Sequence, residues 1–211
     1  MEDVLNLYKK PLNSKEPVIC MDEKPMQLLQ EVRTPIPTSP GHLAEQDYEY
    51  KRKGTANVYC VVEPKAGKHI ISVTPNRKNP EFAKVIKKIS GKYPKAKKIH
   101  LILDNLSGHS KNALVQTFGS IKAEKLWRRF QIHHTPKHAS WLNQAEIEIS
   151  MFRRQCIGKD RIPDIPSLKQ RAEAWAKRLT RKKQTIQWRF TTAKARKVFH
   201  YKRVTTLRPD Y

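Results

Sequence analysis

Two short apolar runs that each stop on an acid constrain this chain more than any other feature. Val18-Ile19-Cys20-Met21 closes on Asp22-Glu23, and Ile99 to Leu103 (IHLIL) closes on Asp104. Runs this short, apolar on both faces and bounded by polar residues, are predicted strands buried between helical layers. An acid at such an end has two readings. It can start a turn by accepting local backbone hydrogen bonds. It can also stand at the carboxyl end of a strand, where α/β folds place their chemistry.

The elements between and after these runs suit an α/β chain. Thr55 to Val62 and Lys68 to Thr74 are β-branched runs joined by Pro64-Lys65-Ala66-Gly67, which predicts a hairpin. Asn79-Pro80 opens a helix with Phe82, Val85, Ile86 and Ile89 on one face. After the strand at 99–103, Ser110 caps a predicted helix to about Phe118, and Lys122 to Phe130 is a second short helix. Gln131 to His134 reads as a strand. Trp141, Leu142, Ala145, Ile149 and Phe152 space out one helix over about 141–156. Only helices follow: Ser167 to about Arg181, then Thr191 to Tyr201. The predicted fold is a mixed five-stranded sheet flanked by helices, with a basic helical extension at the C-terminus. Residues 1–16 read as a polar lead-in, residues 17–157 as the main domain and 158–211 as the extension. The proline-rich stretch from Glu31 to His42 reads as a loop.

Charge points to the partner. The chain has 43 Lys plus Arg against 19 Asp plus Glu, a formal net charge of +24. Residues 151–211 hold 18 of the cations and only 4 of the acids. Such an excess marks a polyanionic partner, nucleic acid above all, although a solvated basic surface would have the same composition. Three cysteines, Cys20, Cys60 and Cys156, have no metal spacing and suit a reducing compartment. No apolar run approaches the roughly 18 residues of a membrane span, and MEDVLNLYKK has no signal-peptide core. The expected location is the cytoplasm, in association with the nucleoid.

An acidic pocket inside a basic chain asks for a cation. Asp22 and Asp104 come side by side if their strands are neighbours, and paired carboxylates repel unless a cation sits between them. Mg²⁺ takes carboxylate oxygens together with substrate phosphates. Glu146, early in the helix that starts near Trp141, is a third candidate. Each acid has a rival. Glu23 alternates with Asp22 across the strand, and Glu148 lies about 200° from Glu146 around the helix, so only one of each pair faces the site. Other chemistries find little. His134 and His138 have zinc-ligand spacing but Pro136 lies between them, and with seven glycines there is no phosphate-cradling loop.

Three phrases carry a family resemblance. Val18 to Gln30 (VICMDEKPMQLLQ), Leu101 to His109 (LILDNLSGH) and His133 to Ser150 (HHTPKHASWLNQAEIEIS) resemble the acidic blocks of mariner-superfamily DDE transposases, in their bacterial insertion-sequence branch. The third is the most specific, since Ser-Trp-Leu-Asn-x-x-Glu parallels the family's Pro-x-Leu-Asn-x-x-Glu. Lys53 to Asn57 (KGTAN) and Trp188 to Thr192 (WRFTT) also fit. The resemblance implies a ribonuclease H-like fold and metal-dependent DNA cleavage and strand transfer. Its acidic triad falls on Asp22, Asp104 and Glu146, holding two Mg²⁺ ions with Mn²⁺ as a substitute. His109, Lys137, His138, Arg153 and Arg154 are candidates for contact with DNA. The family joins two DNA ends, so a homodimer is implied. Its members carry a helix-turn-helix region ahead of the first acid, and here about twenty residues precede Asp22. The expectation is therefore a catalytic domain with low intrinsic sequence specificity. The alternative is an inactive remnant that only binds nucleic acid.

Overall fold

A computed structural model of the chain describes residues 1–104 and 109–201. The loop part of the second acidic block, residues 105–108, and residues 202–211 of the expected extension lie outside them. The order is α1 (Glu2–Lys9), β1 (Val18–Glu31), β2 (Tyr50–Glu63), β3 (Lys68–Thr74), α2 (Asn79–Lys92), β4 (Ile99–Leu103), α3 (Lys111–Phe118), α4 (Ser120–Trp127), β5 (Phe130–His134), α5 (Ala145–Phe152), α6 (Ile165–Arg181) and α7 (Thr192–Val198). The five strands form one sheet in the order β3-β2-β1-β4-β5. β1, β2 and β3 pair antiparallel, whereas β4 and β5 run parallel to β1. This is the mixed, ribonuclease H-like sheet expected from the sequence.

Helices cover both faces of the sheet. Ile19, Met21, Tyr59, Leu101 and Leu103 point toward α2, α3 and α4, and Phe82, Ile86 and Leu114 meet them. Val58, Cys60 and Ile71 point the other way, onto Phe152, Leu168 and Trp175 of α5 and α6. Cys20, Val62 and Ile102 pack on Leu5, Tyr8, Leu142 and Ala195. The three cysteines are free and buried. Among the described residues, no helix is long and apolar enough to cross a membrane.

The structure corrects three sequence readings. Residues 1–16 are no polar lead-in throughout, because α1 buries Val4, Leu5, Leu7 and Tyr8. Those four fall at helical spacing but span little more than one turn, and the flanking acids and lysines hid the pattern. β1 runs ten residues beyond Met21, paired all the way with β2. Past Cys20 it has left β4, so it continues as a largely exposed two-stranded ribbon, with a bulge between Gln27 and Leu29, and the apolar signal ends before the strand does. Pro25 is tolerated there because its far edge pairs with no strand. Finally, the helix expected over 141–156 is three pieces: a 3₁₀ turn at Ser140–Leu142, α5, and a π-turn at Arg153–Ile157.

Candidate active site

The strand register builds the site. β1 and β4 align Cys20 with Ile102. Asp22 and Asp104 each follow their partner by two residues, so both lie just past the carboxyl end of the paired stretch. Both are half-buried. Asn143 brings in the third acid. Its Nδ2 donates to the Met21 carbonyl at 2.8 Å and reaches Asp22 Oδ2 at 3.5 Å. Its Oδ1 accepts from the Ala145 N–H at 3.2 Å, and its carbonyl accepts from the Glu146 N–H at 3.0 Å. One side chain thus ties β1, at the point where it leaves β4, to the start of α5, with Glu146 in the first turn. That is the physical content of the Asn-x-x-Glu spacing.

The field at this point is strongly negative. Burial pushes the Asp22 carboxyl up to about 7; the hydrogen bond from the Glu23 N–H opposes this, and the charges of Glu146, Glu23 and Asp104 add to it. Glu146 and Asp104 are each near enough to act on Asp22, yet among the described residues no three metal-ligating side chains close into a ready-made cage. The donor set is all carboxylate oxygen, which fits a hard divalent ion such as Mg²⁺ or Mn²⁺ rather than zinc. A cation there would favour the ionised Asp22 against both its burial and the charges of its acidic neighbours.

The rival acids have other work. Glu23 points to the opposite face, where its Oε2 lies 3.4 Å from His109 Nε2. His109 Nδ1 binds Asp104 Oδ1 at 2.7 Å, and the ring stacks on Phe82 with 4.7 Å between centroids. Burial alone would lower the His109 pKa, but its bonds to Asp104 and Glu23 outweigh that and push it up to about 9. His109 is therefore an imidazolium that holds Asp104 from within. His134 steadies the same residue, its Nδ1–H donating to the Asp104 carbonyl at 3.1 Å. The sequence reading of His109 as a contact to DNA is thereby corrected, because the ring is buried and both its nitrogens face carboxylates, and the support from His134 went unread because spacing gives no sign of it.

Glu148 turns inward. It is 1% exposed and its Oε1 lies 2.8 Å from His69 Nδ1. Lys137 and His138 are exposed in the loop after β5, with His138 at φ 62°, and Arg153 and Arg154 are exposed on the π-turn after α5.

A residue the sequence did not single out braces the third acid's turn. Tyr8 Oη donates to the Leu142 carbonyl at 2.7 Å, accepts from the Gln144 N–H at 3.4 Å, and sits 3.2 Å from Cys20 Sγ. α1 is thereby locked to both β1 and the segment that delivers Glu146. Tyr8→Phe would strand a buried carbonyl and N–H, at a cost of about 1–3 kcal/mol. Calorimetry should record this as a lower Tm, by roughly 2–4 °C per kcal/mol for a chain of this size.

Comparison with known proteins agrees with this fold. Among curated proteins no sequence match is found. Several solved structures resemble the chain. The Mos1 mariner paired-end complex with Mn is 13% identical, covering 87% of this chain and 55% of that one, at a TM-score of 0.57. The corresponding complex with Mg is 15% identical, covering 87% and 56%, at a TM-score of 0.56. The Mos1 transposase paired-end complex with the left transposon end is 14% identical, with the same coverage, at 0.55. At such identities the likeness is one of fold, and the chain spans just over half the length of these proteins. The family described as DDE superfamily endonuclease matches residues 17–169, a span that contains Asp22, Asp104, Glu146 and every strand of the sheet. The chain belongs to the DDE superfamily of endonucleases.

Proposed function

We propose that this chain is the catalytic domain of a transposase, cutting and joining DNA with Asp22, Asp104 and Glu146 as ligands of two Mg²⁺ ions, for which Mn²⁺ substitutes. The observation that carries the reading is the β1–β4 register, extended through Asn143 to Glu146. Bound there, divalent ions would make a nucleophile of water or a 3′-hydroxyl and stabilise the departing 3′-oxygen. The chain's own residues orient the ligands: Asn143 fixes Asp22 against α5, while His109 and His134 hold Asp104 from its side chain and its carbonyl. Lys137, His138, Arg153 and Arg154 supply phosphate contacts around the acids. A homodimer accounts for the joining of two ends, as does the pairing of ends named for the Mos1 complexes.

The test is nicking of supercoiled plasmid at low salt with Mg²⁺, Mn²⁺ or chelator. Expected is metal-dependent nicking that Asp104→Asn loses while still shifting the plasmid in a gel. Binding with no metal-dependent nicking in the unaltered chain would overturn the enzymatic reading and leave a nucleic-acid-binding protein.

A further inference from the structure

The outer strand β3 lies at the sheet edge, two strands away from β1 and its Asp22. α2 and α6 pack on opposite faces of the sheet and both lean over this edge, leaving a groove of about 880 Å³ between them. Its walls carry Lys88 and Lys92 from α2 and Lys177, Arg178 and Arg181 from α6, against one acid, Glu173. No member of the acidic triad lines it. Among the described residues none of these five cations makes an ion pair, whereas Arg161, Arg171 and Arg196 elsewhere each do.

These charges are assembled against their own repulsion. Lys88 is half-buried, and its Nζ donates to the Ile71 carbonyl at 2.6 Å and to Ser72 Oγ at 2.9 Å, on the free edge of β3. Its pKa is lowered by burial, with Glu173 opposing and the nearby Lys92 and Lys169 adding to the effect. The other four cations are exposed, with their ammonium and guanidinium groups turned to solvent. Like charges gathered from two helices, with one acid among them, form a surface completed by an external polyanion.

We propose that this groove is a second DNA-binding surface, which grips the phosphate backbone of a duplex over the β3 edge, apart from the acids that act on it. Its open shape and its point-charge lysines suit backbone contact without base readout. A duplex offers one phosphate charge per roughly 1.7 Å of axis, so cations spread along two helices can each meet one. The surface would hold flanking or target DNA while another stretch lies at the triad.

The experiment measures binding of a fluorescein-labelled duplex of arbitrary sequence by anisotropy, over a range of salt, in chelator. The chains compared are the unaltered chain, the groove triple Lys92→Gln, Lys177→Gln and Arg181→Gln, and a triple of exposed lysines outside the groove, Lys97→Gln, Lys122→Gln and Lys125→Gln. All six positions are exposed, so each triple is expected to fold, and circular dichroism checks this. If the groove binds DNA, the groove triple lowers the slope of log K against log salt by roughly 2–3, about one per lost phosphate contact, and the outside triple leaves it near its original value. An unchanged slope in the groove triple, or an equal fall in both triples, would overturn the proposal. Because the readout is binding without metal, it is independent of whether the acids cut DNA.

Discussion

Asp22→Asn is expected to abolish metal-dependent nicking and, in the same protein, to raise thermal stability in chelator above about pH 7. The loss of activity should be at least about 10²–10³-fold, the scale on which removing one preorganised electrostatic group from a reacting centre is felt. The gain in stability follows from linkage. The folded carboxyl titrates at about 7 and the unfolded one at 3.8. Between those values the unfolded chain has given up its proton and the folded chain has kept it. Stability therefore falls as pH rises through this window, and reaches its floor above about 7. Asparagine has no proton to lose. Its advantage in Tm should be largest at neutral and alkaline pH and should vanish toward about pH 4. A variant that is inactive but no more stable at high pH would show that burial and the neighbouring acids do not hold the Asp22 carboxyl above its usual range. Adding Mg²⁺ should reverse the order, stabilising the unaltered chain and leaving Asp22→Asn nearly unmoved, because a ligand that binds only the folded state stabilises it.

Glu148→Ala is expected to produce the largest loss of stability, about 3–5 kcal/mol, the usual result of removing one member of a buried pair. His69 Nε2 lies 2.9 Å from the Gln184 carbonyl, which can only accept, so Nε2 carries a proton. Nδ1 lies against Glu148 Oε1, and the two share a second proton as imidazolium and carboxylate or as imidazole and acid. Either way, alanine leaves His69 without this partner in a site with no access to water. Thr180 adds to the same junction, its Oγ1 accepting from the His69 N–H at 2.9 Å and donating to the His69 carbonyl at 3.2 Å. The pair thus fastens β3, α5 and α6 into one body, and urea unfolding should report the loss as a lower midpoint. Glu148→Gln, which keeps the volume and one hydrogen bond, should lose markedly less. A loss of nicking in Glu148→Gln equal to that in Asp22→Asn would place Glu148 in the reaction rather than in the core.

The acidic positions were legible because strands and helices impose periods. A period of two separates Asp22 from Glu23, and a turn of about 200° separates Glu146 from Glu148, so each pair had to divide its roles. Periodicity does not say which member faces which way. Glu146 and Glu148 are assigned only by His69, which reaches Glu148 from a strand 79 residues earlier in the chain. Tyr8, 12 residues from Cys20 and 134 from Leu142, is invisible to any local pattern for the same reason. Elements went unread where burial was one-sided. The ribbon half of β1 fully buries only Leu28, and the buried residues of α1 are flanked by Glu2 and Asp3 at one end and Lys9 at the other.

Sequence alone determined the class of fold, the excess of positive charge and the Asn-x-x-Glu spacing, because short-range periodicity and composition are properties of the chain itself. Only the tertiary structure decided that Asp22 and Asp104 each stand two residues past a paired Cys20 and Ile102, that His109 is clasped between two carboxylates, and that five cations from α2 and α6 meet over one strand edge. Those facts depend on register and on contacts between residues far apart in the chain, which are fixed when the sheet closes and its helices dock on either face.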